Sequence, residues 1–368
     1  MAERRDPAEL RAILQVSLAH ARRDGVAIFG AGVFARALRR ACEGQGIRVR
    51  CFVVSGHPAD AQSDGLPVYG LGGVPAPVTQ GPILIGVYNR NAESELTALR
   101  RRCLDAGFAG VHVPQEYFSW VAAAMGWRYW LAPLEDYPAM GESIEAARAC
   151  LADQASREAF AAILDFRQAL ALERPLALSA EPQYFPPSLR HAVAQPCVYL
   201  DGGAYDGDSV QMAAEVLALE RIYAFEPDPG NYPRLVARMG EQGLPAVSLP
   251  VGLSDSTACL RFNAGAGEGS SLDPQGDTLI QVIRLDDLLA HERVDFLKLD
   301  IEGNEMQALE GARRLLLEQG PFLAIAAYHR WDDLWRIPTF IHGLGLGYKI
   351  TLKLHETNSF ESVFYAHR

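Results

Sequence analysis

The run VYLDGGAYDGDSV, Val198 to Val210, constrains this chain more than any other stretch. Val198-Tyr199-Leu200 leads into Asp201, a glycine pair turns the chain, and a helix-like pattern follows. A strand that ends in a glycine turn and feeds a helix belongs to a parallel α/β sheet, and it places a ligand at the carboxyl end of the strand. The dinucleotide pattern GxGxxG is absent, and an acid stands where a pyrophosphate loop would carry its first glycine. A carboxylate there suits a ligand with positive charge and hydroxyls better than one with two phosphates. S-adenosylmethionine, with its sulfonium and ammonium groups, is a ligand of that kind.

The chain downstream repeats the alternation. Candidate strands are Val198–Leu200, Ile222–Phe225, Ala246–Leu249, Phe296–Leu299 and Phe322–Ala326, and the end reads as an antiparallel pair, Tyr348–Leu354 and Ser362–Ala366, around a short turn. Acids recur at the strand ends: Asp201, Glu226 in IYAFEPDP, Asp255 in VGLSDS and Asp300 in VDFLKLDIEGNE. A parallel sheet gathers such ends on one edge, where ligands bind. Glu226 follows the glycine turn by about 25 residues, the usual place for a carboxylate that accepts both ribose hydroxyls. A lone acid at a strand end is more often a helix cap; four in order favour a ligand.

Residues 1–115 read as a smaller α/β domain. A helix over residues 1–20 precedes strands Val26–Phe29, Val49–Val54 and Ile83–Val87 and a helix over Glu93–Ala106. IFGAGVFARAL places Gly30, Gly32 and Ala35 between the first strand and a helix, a second candidate nucleotide site. The next strand ends in CFVVSG, without the acid that holds the ribose of NAD. Residues 116–183 read as a helical connector, with the aromatics Trp120, Trp127, Tyr129 and Trp130 and a helical period from Ser143 to Leu172. Residues 184–368 form the third part. Tyr184 and Phe185, just before the first strand of that part, pack on the sheet or stack on a ligand.

Of the 368 residues, 49% are hydrophobic and 21% charged, as in a globular chain with a full core, and the net charge of −11 speaks against nucleic acid as a partner. The six cysteines lack paired spacing and read as reduced thiols of a cytoplasmic protein. No apolar run spans a bilayer and no secretory leader is evident at the N-terminus. Oligomeric state stays open, a homo-oligomer included.

The motifs DGGAYDG, FEPDP, VGLSD, LDDL and LKLDIEGNE, followed by a closing hairpin, resemble those of FkbM-type methyltransferases, a branch of the class I S-adenosylmethionine-dependent enzymes. The resemblance covers about residues 184–368. It implies a seven-stranded sheet with its last strand reversed, and O-methyl transfer to a hydroxyl of a sugar, a glycan or a polyketide precursor. It also implies roles by position. Asp201, Gly202, Gly203 and Ala204 would face the methionine part of the cofactor. Asp206 and Ser209 would sit at a helix start that holds its carboxylate, although Asp206 suits a cap or turn equally well. Glu226 would hold the ribose, Asp228 and Asn231 the adenosine, and Ser254 and Asp255 the adenine edge.

A hydroxyl needs a proton acceptor as it reacts, and the candidates are Asp300, Glu302 and His329 in AAYHRWDD. Lys298, two residues before Asp300, would neutralise it, orient substrate or form a structural ion pair. No His/Asp spacing demands a metal, although Glu302 and Glu305 beside Asp300 leave a divalent ion open. The glycine-rich stretch Gly265, Gly267, Gly269, Ser270 and Ser271 is either a substrate lid or an ordinary loop. The N-terminal part, with DGLPVYG at Asp64–Gly70, resembles the nucleotide-sugar-binding domain of certain sugar acyltransferases. Competing functions are therefore a nucleotide-sugar-binding protein and an oxidoreductase that uses the first glycine motif.

Overall fold

In the computed structural model, which describes residues 4–265 and 270–368, Asp6 starts the first helix. Its carboxylate accepts from the amides of Ala8 and Glu9, and Pro7 stands at the first helical position. The chain forms two units. One contains Met1–Glu142, Ala159–Ala177 and Glu356–Phe360, and the other Ser143–Glu158, Leu178–His355 and Glu361–Arg368.

The first unit runs α1 (Pro7–Asp24), β1 (Val26–Phe29), α2 (Val33–Gly44), β2 (Val49–Val54), β3 (Gln62–Ser63), β4 (Leu66–Gly70), α3 (Ala76–Thr79), β5 (Pro82–Ile85), α4 (Leu96–Asp105), β6 (Gly110–His112) and α5 (Pro114–Met125). Its sheet has the order β3-β4-β2-β1-β5-β6. All pairs are parallel except β3 with β4. All four residues of β1 and of β5 are buried, as expected of central parallel strands covered on both faces. The helical period at Ser143–Leu172 is two helices, α6 (Gly141–Ala149) and α7 (Gln154–Arg167). Asp153 restarts the helix by accepting from Ser156 N at 2.7 Å.

The second unit continues with β7 (Cys197–Gly202), α8 (Asp208–Val216), β8 (Leu219–Phe225), α9 (Tyr232–Gln242), β9 (Ala246–Leu249), β10 (Gly252–Leu253), β11 (Ala258–Asn263), β12 (Ser271–Leu272) and β13 (Thr278–Ile283). It ends with α10 (Leu285–Leu288), β14 (Phe296–Leu299), α11 (Glu305–Gly311), α12 (Arg313–Gln319), β15 (Phe322–Ala326), α13 (Asp333–Gly343), β16 (Lys349–Leu354) and β17 (Ser362–His367). The seven-stranded sheet has the order β16-β17-β15-β14-β7-β8-β9. β17 runs antiparallel to both neighbours and the pairs from β15 to β9 are parallel, which is the mixed α/β sheet with a reversed last strand expected from the motifs.

A second, four-stranded sheet, β10-β13-β11-β12, was not anticipated. Its core is Phe262, Ile280 and Val282. The alternation Ile280–Gln281–Val282 in β13 is the signal that marks it. Of the glycine-rich stretch, Gly267 and Gly269 lie outside the described residues. Gly265 N donates to Asp228 Oδ2 at 2.8 Å, and Ser271 begins β12. Among the described residues, no helix is long and apolar enough to cross a membrane.

Strand register places the candidate acids. One row of paired residues runs Phe225, Gly202, Leu299, Ile325 across β8, β7, β14 and β15. The next step along the chain carries Glu226, Gly203 and Asp300 beyond the sheet edge. Glu226 and Asp300 therefore flank the glycine turn, one strand to each side and about 10 Å apart at the backbone.

Candidate active site

The turn after β7 is shaped by close approach. Gly203 has φ +76, and a Cβ there would fall 1.8 Å from the carbonyl oxygen of Asp300. Asp300 N in turn donates to Gly202 O at 3.1 Å. Gly207, with φ +92, caps α8, and its Cβ would meet Met239 at 2.6 Å. Only glycine combines that backbone with that proximity.

Asp201 does not open onto this edge. Its side chain is fully buried, with Oδ1 2.8 Å from Lys298 Nζ. Oδ2 accepts from Ser209 Oγ at 2.6 Å and from Tyr199 OH at 3.0 Å. Asp201 and Lys298 are register partners on adjacent strands, so their side chains leave the same face of the sheet. The Asp201 side chain, expected to face the cofactor, is thus turned to Lys298, Ser209 and Tyr199, while the hydroxyl of Ser209, whose place at the helix start was the expected feature, is on Asp201. Lys298 is likewise removed from the catalytic candidates. It is 2% exposed and donates to Gly203 O at 2.7 Å, so it ties the glycine turn to β14. Burial lowers its pKa, but the Asp201 and Asp300 charges outweigh this and hold it above its ordinary value.

Glu226 stands on the other side of the turn. Its Oε2 accepts from Tyr205 N at 2.9 Å and its Oε1 from Asp228 N at 2.8 Å. Burial pushes the carboxyl up to about 7, against those hydrogen bonds and one from the Asn231 side chain. Asn231 Oδ1 also accepts from Arg234 at 2.6 Å, so Asn231 orients Glu226. Asp228, expected near the adenosine, has its carboxylate on the amides of Gly230, Asn231 and Gly265, which anchors the turn and the following loop. Asp206 pairs with Arg238 at 2.7 Å, in keeping with the turn role. Ser254 is buried, with its amide on Ile283 O. Asp255 is exposed and lines a surface recess with Arg284, Arg313 and Arg314.

Beyond β14 lies a denser group. Asp300 Oδ2 accepts from Tyr184 OH at 2.5 Å and Oδ1 from Tyr328 OH at 3.2 Å. His329 Nε2 lies 3.3 Å from Asp300 Oδ1 and 3.4 Å from Glu302 Oε1, while Nδ1 lies 2.8 Å from Glu305 Oε1. Glu305 Oε1 also accepts from Ile301 N at 2.8 Å, which fixes the tight turn in which Glu302 adopts φ +55. Burial raises the Asp300 pKa, but the His329 and Lys298 charges and the tyrosine hydroxyls outweigh it and leave the carboxyl below its ordinary value. Burial raises Glu302 further than its His329 contact lowers it. Burial and the neighbouring Glu305 push Asp333 up to about 8.

His329 is corrected as a general base. Its side chain is fully buried, and the Glu305 and Glu302 charges outweigh burial to hold its pKa well above the ordinary value. An imidazole enclosed in the core with both ring nitrogens facing carboxylates is poorly placed to take a proton from a substrate. Tyr184 belongs to the packed core, with its ring 5.1 Å from Lys298 Nζ and its hydroxyl on Asp300. The packing alternative for that segment is the observed one, and the added polar contact to Asp300 was not foreseen. Glu305 and Asp333 gain their place from the turn and helices after β14 and β15, which spacing alone does not reveal.

In the first unit, Gly30 ends β1 with φ +103, and a Cβ there would meet Val87 at 2.8 Å and Gly86 O at 3.0 Å. Gly32 caps α2 in open space, and Ala35 is buried under the loop. Packing between the ends of β1 and β5 accounts for Gly30 without a ligand.

Residues 201–350 match the family model of the methyltransferase FkbM domain. These residues form an FkbM methyltransferase domain. A crystal structure of methyltransferase FkbM from Methylobacillus flagellatus KT is similar over 98% of this chain and 100% of that one, with 20% identity and a TM-score of 0.71. At that identity the likeness is one of fold, and it extends through both units. An rRNA methylase from Streptococcus thermophilus covers 49% of this chain and 91% of its own, with 14% identity and a TM-score of 0.33. Aeropyrum pernix fibrillarin, solved with bound S-adenosyl-L-methionine, covers 46% and 65%, with 13% identity and a TM-score of 0.30. No curated protein matches the sequence. The FkbM domain thus contains the glycine turn, Glu226 and the Asp300–His329 group in a single sheet edge.

Proposed function

We propose that the chain is an S-adenosylmethionine-dependent O-methyltransferase acting on a hydroxyl of a sugar, a glycan or a polyketide precursor. The observation that carries this reading is Glu226, a buried carboxylate fixed by two backbone amides at the end of β8, one strand from the glycine turn. A carboxylate so held accepts a vicinal diol, and the turn at Gly203 leaves no room for a side chain beside it. The residues present therefore fit a nucleoside ligand. Glu226 would hold its ribose, and the turn Gly202–Ala204 with the start of α8 would hold its amino-acid end. When bound, S-adenosylmethionine supplies a methyl group already activated by its sulfonium.

What remains for the protein is alignment and proton removal. Asp300 is fixed by Tyr184 and Tyr328, so it orients and does not accept. Glu302 is the better acceptor. Burial raises its pKa toward that of a useful base, and its Oε2 takes no hydrogen bond. Calorimetric titration with S-adenosylhomocysteine tests the cofactor assignment. One site per chain is expected, lost in Glu226→Ala, with labelled methyl transferred to a glycan extract. Absence of any binding to the intact chain would falsify the reading.

A further inference from the structure

We propose that Asp300, Glu302 and His329 bind a divalent cation of the borderline class that takes imidazole and carboxylate together, such as manganese or iron(II). The inference rests on the methyltransferase reading only for the cation's role, not for its binding. Asp300, Glu302 and His329 each present one ligand atom, and these atoms all lie within 4.8 Å of one another. Two of the separations, 3.3 and 3.4 Å from Nε2, come close to the ~3 Å between neighbouring ligands of a six-coordinate ion with bonds of about 2.1–2.2 Å. Three protein ligands on one face leave the remaining positions for water and a substrate oxygen.

The surroundings point the same way independently. The far ring nitrogen of His329 faces Glu305 at 2.8 Å, the carboxylate–histidine arrangement that orients a metal-bound imidazole. Glu305 is fully buried, and its Oε2 takes no hydrogen bond; Glu302 Oε2 is also buried without one. Asp300 is steadied from outside by Tyr184 and Tyr328. Three carboxylates thus converge on a single imidazole. A dication held by Nε2 balances the carboxylates that face the ring. Bound there, it would draw a substrate hydroxyl beside Glu302 Oε2 and lower the cost of removing its proton.

The test is a titration of the chelator-stripped, full-length chain with Mn²⁺, read by loss of the free-ion EPR signal. One ion per chain is expected. Asp300→Asn and Glu302→Gln should abolish it, and Glu305→Gln should weaken it by about 10–100-fold. Glu310→Gln, an exposed acid paired with Arg313, should leave it unchanged. Glu302→Gln, on a partly exposed turn, keeps the result readable if Asp300→Asn fails to fold. Uptake equal in the wild type and in Glu302→Gln would overturn the proposal. S-adenosylhomocysteine binding by the same stripped protein separates the two ideas. Nucleoside binding without Mn²⁺ uptake sinks the cation alone, and Mn²⁺ uptake without nucleoside binding sinks the methyltransferase reading alone.

Discussion

Glu226 carries a cost that a surface carboxylate does not. Its carboxyl is pushed up to about 7 from an ordinary 4.5. The folded chain therefore binds a proton that the unfolded chain has already lost, over the window between those values. Stability falls as pH rises through that window, and the full cost, on the order of 3 kcal/mol, is present above it. Glu226→Gln has no such titration. Thermal melts from pH 5 to pH 8 should show the wild type losing stability relative to Glu226→Gln; parallel curves would refute the assignment. Under the proposed function a carboxylate is required there, because a neutral amide cannot accept two hydroxyls equally well. Lys298 and Asp201 show the converse. Both are buried, each satisfies the other, and neither is open to a ligand.

Among the elements, the turn between β7 and α8 is the most constrained. Gly203→Ala would drive a methyl into the Asp300 carbonyl and force a side chain onto φ +76. Gly240, inside α9, has nothing within 4 Å of a built Cβ. Chemical denaturation should show Gly203→Ala destabilised by more than about 2 kcal/mol, with S-adenosylhomocysteine affinity lost, and Gly240→Ala stabilised by about 0.5–1 kcal/mol. Equal effects at the two positions would mean that the turn is not packed as described. Most strands of this unit were legible because buried parallel strands are short apolar runs: Ala246–Leu249, Phe296–Leu299 and Phe322–Ala326 are found with the expected bounds. The strands β3 and β6 of the first sheet and β10 and β12 of the second were not, because two- and three-residue strands carry no period, and the longer β4, β11 and β13 lack the continuous apolar run of a strand buried on both faces.

At the scale of the whole molecule, the first unit includes five residues from the far end of the chain, Glu356–Phe360. Asn358 is buried there. Its Oδ1 accepts from Leu96 N at 2.9 Å, and its Nδ2 donates to the carbonyls of Asn89 and Ser94 at 2.9 and 3.0 Å. The Phe360 ring lies 5.1 Å from that of Tyr88. Asn358→Ala leaves three backbone groups without their partner and should destabilise the first unit by about 2–4 kcal/mol. Hydrogen exchange at Leu96 should accelerate accordingly; unchanged protection there would show that the contact is dispensable. The parts read from sequence as residues 1–115, 116–183 and 184–368 could not include such a segment, because 262 residues separate Asn358 from Leu96.

The sequence by itself determined the α/β class, the reversed last strand and the edge on which the acids gather. Each follows from local patterns: apolar runs, glycine turns and the residue that ends a strand. Only the tertiary structure decided what each acid does there. Asp201 and Glu226 end neighbouring strands in the same way, yet one is paired with Lys298 and the other is held by two backbone amides. His329 looked like a neutral base until the fold set three carboxylates around it. Protonation state and accessibility depend on burial and on charges brought from distant segments, and neither quantity is written in a local motif.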